Sequence, residues 1–316
     1  MPDKNESAKD RLRAKTEALL DQCELLSKQG IAPSNPIRFS KEELKQIYPW
    51  NAYRLHRIMC GEHVRDALDL LADSGLLFHM IPVIRETIIF DETTDDGFKR
   101  VWPHTKIVVS QTPPKMELRW AALFHDLGKP ASYDNVEKVS FHGHEKISSR
   151  FFKRFAQRWP LFDKEKAKRI ERLIYHLGHV EAYEDDWTDR AIRRFIRDVG
   201  DDILEPLLQL AAADVTTRHE EKRRRITSRI EQLKFRIDKV REEDSKQAPF
   251  PKGLGHRIID DLNVEPGKGV GEIMSVLKEG VEKGLIKPGM TSDYYISYLK
   301  TGIPVEDGQD RDVDPA

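Results

Sequence analysis

The segment LFHDLGKPASYDNVEKVSFHGHE, residues 123–145, brings His125, Asp126, His142 and His144 close together in the chain. Imidazole carries protons and binds borderline metals, while carboxylate is a hard anionic ligand, so the mixture suits a divalent cation held by nitrogen and oxygen. His125 shares a helical face with Leu118, Ala121 and Ala122, its neighbours seven, four and three residues back, and is therefore expected to point inward. Upstream, His104 occupies the first turn after Pro103. Far downstream, Asp214 ends the run EPLLQLAAAD with Leu207, Leu210 and Ala211 on its own face. An ionised Asp on an apolar stripe costs several kcal/mol unless it is paired or metal-bound. The expected metal ligands are thus His104, His125, Asp126 and Asp214, with positions left open for water.

Such a shell lowers the pKa of a bound water and neutralises phosphate oxygens as charge develops on them, which is phosphoryl chemistry. His144 opens the helix HEKISSRFFKRF and His176 lies late in ERLIYHLGH, where both can reach a second metal or a phosphate. One or two ions per chain are therefore expected. Two would be bridged by Asp126 at a spacing of roughly 3.5–4 Å. Lys129 is placed to hold a phosphate as a point charge. His142 is a further candidate substrate contact. Arg218, one turn beyond Asp214, is either that residue's partner or another substrate contact. Asp126, Lys129 and His144 are the candidate catalytic groups. The histidine content favours Mn, Fe, Co, Ni or Zn over Mg alone.

The elements that must position these groups read as helices, because period-two apolar alternation is hard to find and the expected class is all-α. Leu12, Leu19, Leu20, Leu25 and Leu26 mark a helix over 7–29 that stops at Gly30. Residues 1–37 form this helix and a linker, and 38–101 a helical neck whose first helix starts at a Ser40/Glu43 capping box. Within it ETIIFDETTDDGFK, residues 86–99, is polar and contains Gly, which predicts a loop. A metal-bearing domain over 102–220 follows. A long basic helix and a helical block occupy 221–303, and a disordered tail 304–316. In the long helix Ile226, Ile230, Leu233, Ile237 and Val240 alternate at four and three, a stripe suited to packing on the neck or on a second copy in a homodimer.

Composition bounds the function without choosing it. The 316 residues carry a formal charge of −1, so any preference for an anionic partner must come from a local patch. The stretch RHEEKRRRITSRIEQLKFRIDK, residues 218–239, is such a patch for tRNA or other RNA through Arg218, Lys222, Arg223, Arg224, Arg225 and Arg229, although its interleaved acids dilute the field. Two cysteines, Cys23 and Cys60, are too few for a disulfide framework. No segment reaches the roughly 18 apolar residues of a membrane span, and the charged start MPDKNESAKDRLRAK has no leader-like apolar core, so a cytoplasmic protein is expected. EPGKGVGE, residues 265–272, lacks the preceding strand and the Ser or Thr after Lys268 that a phosphate loop needs. Asp310, Asp312 and Asp314 lack the Gly and distant Glu of a calcium loop.

The order His104, then His125-Asp126 within HDLGK, then Asp214 resembles the HD superfamily of metal-dependent phosphohydrolases. WPHTKIVV, LRWAALFHDLGKPASY, FHGHEKISSRFFKRF, LIYHLGH and LLQLAAADV resemble the HD domain attached to bacterial tRNA nucleotidyltransferases and poly(A) polymerases. RFSKEELKQIY with ALDLLADSGLLFHMIPVI resembles the neck before that domain, and LNVEPGKGVGEIMSVLKEGVEKGLI the helical part after it. The resemblance implies an HD helical bundle that hydrolyses 2′,3′-cyclic phosphates or removes terminal phosphates from nucleotides or RNA 3′ ends. It matches His104, His125, Asp126 and Asp214 to the metal motif, and His144 and His176 to a second metal or the phosphate. The polymerases also carry a head in which a Gly-Ser turn precedes an Asp-x-Asp pair. Here no Gly is followed by Ser, so nucleotide addition is not expected. Two alternatives remain: an HD nucleotidase acting on free deoxynucleotides or signalling nucleotides, and a non-catalytic RNA-binding adaptor in which the histidines are structural.

Overall fold

The structure is a computed structural model that describes residues 4–47, 52–94, 100–134, 139–247 and 249–302. The tail expected at 304–316 lies outside them, as do Asp310, Asp312 and Asp314. Seventeen helices are present among the described residues: α1 Lys4–Gln29, α2 Lys41–Gln46, α3 Ala52–Met59, α4 Val64–Asp73, α5 Leu76–Met80, α6 Pro82–Thr93, α7 Val101–Gln111, α8 Met116–Phe124, α9 Lys129–Ser132, α10 His144–Arg158, α11 Lys164–Glu181, α12 Asp189–Val199, α13 Asp201–Asp214, α14 Glu220–Gln247, α15 Leu254–Leu262, α16 Lys268–Glu282 and α17 Ser292–Thr301. No strand occurs among the described residues; an isolated antiparallel bridge joins Asp134 to Ser140. The fold is all-α, as the sequence pattern implies.

The chain divides into two compact units, Met1–Ile237 and the remainder from Asp238. In the first, α11 packs against α8, α10, α12 and α13, and α7 packs against α4, α6, α8 and α13. The central layer is apolar: Leu118, Leu123, Phe124, Phe152, Ile170 and Leu173 are fully buried. In the second unit, Phe250, Leu254, Ile258, Leu277 and Ile286 gather around Tyr295. Its hydroxyl lies 2.7 Å from the Lys287 carbonyl and accepts the Met290 N–H.

Local chemistry explains several helix ends. Gly30 takes φ +69° at the end of α1, the left-handed geometry that glycine enters without penalty. Ser40 and Glu43 form the capping box read from the sequence. Pro206 removes one N–H from α13, and the carbonyl of Asp202, four residues back, instead accepts a hydrogen bond from Arg169 Nη2 at 3.1 Å. On α1 the buried stripe runs through Leu12, Leu19, Leu20, Cys23 and Leu26, whereas Leu25 is exposed. Arg54 fixes this helix against α3 through Glu17, Asp21 and Glu24, which recur on one face of α1.

One expectation fails. Residues 86–93, read as loop, are the C-terminal two turns of α6. Polarity misled because Thr87 and Asp91, not apolar groups, occupy the buried face that begins at Ile84. Thr87 Oγ1 donates back to the Val83 carbonyl, and the Asp91 carboxylate accepts the N–H groups of Val101 and Trp102, each at 2.7 Å. Those are orphan donors of the first turn of α7, so Asp91 caps a helix to which it does not belong. Asp91→Ala should lower stability by about 2 kcal/mol, the order of a lost charged cap in a buried setting. Urea unfolding checks this: the midpoint should fall with an unchanged slope, and an unmoved midpoint would contradict the role assigned to Asp91.

Candidate metal centre

Three helix ends converge on one buried point. His104 comes from the first turns of α7, His125 caps the C-terminus of α8 with Asp126 next in the turn, and Asp214 is the last residue of α13. His104, His125 and Asp126 are all buried and offer ligand atoms within 4.8 Å of one another. The two Nε2 atoms lie 3.3 Å apart. Asp126 Oδ2 is 3.3 Å from that of His104 and 3.4 Å from that of His125. From the far side Asp214 Oδ1 approaches the same two nitrogens at 2.9 and 3.4 Å.

The rings are held so that Nε2 faces the centre. His125 Nδ1 lies 2.7 Å from the Ala122 carbonyl, and His144 Nδ1 lies 2.9 Å from the Phe141 carbonyl. A carbonyl only accepts, so Nδ1 carries the proton in both rings and Nε2 is left as a ligand or proton acceptor. His104 Nδ1 meets the Thr216 hydroxyl at 3.0 Å. His144 Nε2 reaches Asp126 Oδ1 at 3.3 Å, and Lys129 Nζ sits 2.6 Å from Asp126 Oδ2.

Close backbone approach makes this contact between turn and helix. Gly128 donates its N–H to Ser148 Oγ at 2.8 Å, locking the HDLGK turn to α10. A Cβ at Gly128 would lie 2.3 Å from the His144 carbonyl oxygen and 2.8 Å from the Ser148 nitrogen. Only glycine lets His144 and Asp126 meet as they do.

The electrostatics are those of a cation site. Both carboxylates sit at the negative ends of helices, where the peptide dipoles disfavour an anion. Burial alone would raise Asp214, but the imidazoles of His104 and His125 hold its carboxyl well below the usual carboxylate range. Asp126 is lowered in the same way against its burial, by His125, Lys129, His104 and His144. Burial pushes His125 down, yet the charges of Asp126 and Asp214 outweigh it and raise the ring to about 9. Asp214 Oδ1 is fully buried with no hydrogen bond of its own. Two nitrogens and one carboxylate oxygen lie within 4.8 Å of one another, and Asp214 Oδ1, which has no hydrogen bond of its own, stands against both nitrogens; the set fits a divalent transition ion.

The remaining expected residues are placed as follows. His176 pairs with His179, Nδ1 to Nδ1 at 2.9 Å, and burial and that neighbour lower its pKa to about 4. His142 is exposed in the turn before α10, and Arg218 is exposed between α13 and α14. Two residues that the sequence reading did not single out join the site. Thr216 orients His104. Glu181, an exposed residue at the end of α11, has its carboxyl pushed up to about 7 by loss of water around the carboxyl in the cleft and by the charges of Asp214 and Asp126. Its signal was available: Glu181 follows buried Ile174 and Leu177 at seven and four residues, on the apolar stripe of α11. Glu181 and Asp214 also line a cavity of about 370 Å³ whose opposite wall is α14.

Residues 110–240 match the HD domain family. The chain is 25% identical over 246 residues to the A-adding tRNA nucleotidyltransferase of Deinococcus radiodurans, covering 73% of this chain and 54% of that protein. It is 27% identical over 259 residues to the CC-adding tRNA nucleotidyltransferase of Thermus thermophilus, covering 78% of this chain and 56% of that one. The chain spans about half the length of these curated relatives. The resemblance read from the histidine and aspartate motifs therefore holds. No described helix is long and apolar enough to cross a membrane.

Two outcomes follow from this geometry. In metal-free protein the His125 ring should titrate near 9. Asp126→Asn should drop it by a unit or more, because burial then acts against a single carboxylate; histidine Cε1–H NMR titration reads both, and an unmoved ring would refute the coupling. Since the folded value lies above the unfolded value of about 6.5, this group's stabilisation is complete below that pH and is lost as pH rises through 9. Gly128→Ala should cost about 1–3 kcal/mol as α10 and the turn are forced apart. It should also weaken Mn²⁺ or Ni²⁺ binding in calorimetry, and wild-type affinity with wild-type stability would show that the close approach is not needed.

Proposed function

We propose that this HD-domain protein is a metal-dependent phosphohydrolase acting on phosphate esters of nucleotides or RNA termini, foremost 2′,3′-cyclic phosphates and terminal phosphates. The observation that carries the reading is the convergence of two carbonyl- or hydroxyl-oriented imidazoles and two carboxylates on one buried point at the floor of a cleft. A structural pair needs one positive partner, whereas here both carboxylates share the same nitrogens. That arrangement stores negative potential for a cation.

When bound, a divalent ion held by His104, His125, Asp126 and Asp214 would supply a water of lowered pKa and neutralise phosphate oxygens. The chain's own residues perform the rest. Ala122 and Thr216 fix the rings of His125 and His104, so that neither imidazole swings away. Lys129 stands 25% exposed at the edge of the cluster, where its ammonium can turn from Asp126 to a phosphate oxygen. Burial lowers His144, but Asp126 against it prevails and raises its pKa, so the ring can carry a proton toward the departing ester oxygen. As the oxygen of water bonds to phosphorus it releases a proton to bulk solvent, the P–O bond to the ester oxygen breaks, and the proton from His144 neutralises that departing oxygen. His176, paired with His179, is a candidate for a second ion or the phosphate.

The experiment is hydrolysis of 2′,3′-cyclic AMP by protein stripped of metal and then resupplied with Mn²⁺, Fe²⁺, Co²⁺, Ni²⁺, Zn²⁺ or Mg²⁺ singly. One or more ions should restore turnover, and Asp126→Ala should reduce it by at least about a thousandfold, the order of an essential electrostatic group, while the circular dichroism stays helical. Turnover that survives chelation, or an Asp126→Ala variant as active as wild type, would overturn the reading.

A further inference from the structure

The cavity beside the metal centre is two-faced. Its floor carries Asp214 and Glu181, while its α14 wall presents Lys222, Arg225 and Arg229, interleaved with Ile226 and Ile230. These positions follow one another at three, four, seven and eight residues, which is one face of a single helix. The pairing of the cations along α14 separates them by role. Arg223 and Arg224, on other faces, bond Glu220, and Arg236 is held by Asp189. Arg229 bonds the Tyr183 carbonyl and Glu184, anchoring the wall to the loop after α11. Lys222 and Arg225 have no carboxylate partner among the described residues, and both line the cavity.

We infer that this wall is a subsite for the nucleotide next to the scissile phosphate, with Lys222 and Arg225 holding the adjoining phosphodiester and Ile226 and Ile230 bordering the sugar and base. The substrate class is then an oligonucleotide terminus rather than a mononucleotide. This rests on the phosphohydrolase reading and deepens it. Charge carries the argument: the acidic floor is committed to a cation, so a second anion in the same cavity can be met only from the α14 side. A cavity of about 370 Å³ takes roughly one nucleotide beyond the reacting group. Unpartnered cations on a half-apolar wall fit a chain whose charges alternate with flat rings. They fit an isolated cyclic monophosphate poorly, since its one charge belongs at the floor.

The test uses the whole chain in two arms. In the first, a 5′-fluorescein tri-adenylate ending in a 3′-phosphate is titrated by anisotropy against metal-free protein, so that binding is read without turnover. Lys222→Ala/Arg225→Ala should weaken binding at least tenfold and reduce the slope of log affinity against log salt by about 1.4, two contacts at about 0.7 each for a single strand. Lys164→Ala/Lys168→Ala, which removes the same charge from the separate groove between α10 and α11, should leave both unchanged. In the second arm, the Lys222/Arg225 double variant should raise KM for a diadenylate 2′,3′-cyclic phosphate at least tenfold, with kcat/KM for 2′,3′-cyclic AMP within twofold of wild type. Equal losses on both substrates, unaffected oligonucleotide binding, or equal weakening by the Lys164/Lys168 variant would overturn the subsite. Binding that behaves as expected without turnover of either substrate would uphold the subsite and overturn the hydrolase reading.

Discussion

Two carboxylates, buried Asp126 and half-buried Asp214, lie against the same two imidazole nitrogens at the C-terminal ends of two helices. Nothing in that placement favours an anion, because burial removes water and the helix dipoles present their negative ends. The fold tolerates it through positive charge drawn in from several directions. Lys129 lies against one carboxylate, and the metal-free site raises the basicity of His125. A proton is a weak substitute for a divalent ion here, since it engages one donor pair while the donor set has four members. Binding of a divalent ion at this candidate centre would therefore release protons, with an affinity that rises with pH until the imidazoles are neutral.

Much of the surrounding architecture serves to hold those donors still. α11 touches α8, α10, α12 and α13, so the helices that carry His125, His144 and Asp214 all meet a common strut. The Asp91 cap sets the start of α7 three residues before His104. At Gly128 the backbone of the HDLGK turn approaches α10 closely enough that no side chain fits. Displacing any of these supports by an ångström would spread the donors beyond one ion's reach, so stability and metal affinity share the same residues here.

The site was more legible in the sequence than its neighbours were. His125 and Asp214 announced themselves because a polar residue on an otherwise apolar helical face is costly, and that cost is visible from spacing alone. The helical class followed from the missing period-two pattern, and caps such as Ser40/Glu43 are local enough to be read directly. What escaped was non-local. The second half of α6 looks like a loop until Asp91 is seen to cap α7, a contact set by tertiary packing. Leu25 has the right hydropathy but the wrong helical phase. Thr216 carries no signal beyond its proximity to Asp214, since its role depends on the direction of a ring from another helix. Glu181 sat in plain view on an apolar stripe but was hidden by the acids that follow it in EAYEDD.

The heptad-like stripe of α14 shows how one periodic signal can serve two purposes. Its later members, Leu233, Ile237 and Val240, are buried as a packing stripe should be. The earlier ones, Ile226 and Ile230, are only half-buried and border the cavity instead. Periodicity fixes which face is apolar but not what lies against it. The difference comes from the loop after α11: Tyr183 and Glu184 hold Arg229, and the Trp187 carbonyl and Asp189 hold Arg236, so α14 is pinned at two heights. Up to Ile230 the helix lines the cavity that also holds Asp214, rather than the core. Residues there escape the packing constraint, which is why unpaired cations can be interleaved with isoleucines on a face that would otherwise have to be uniformly apolar.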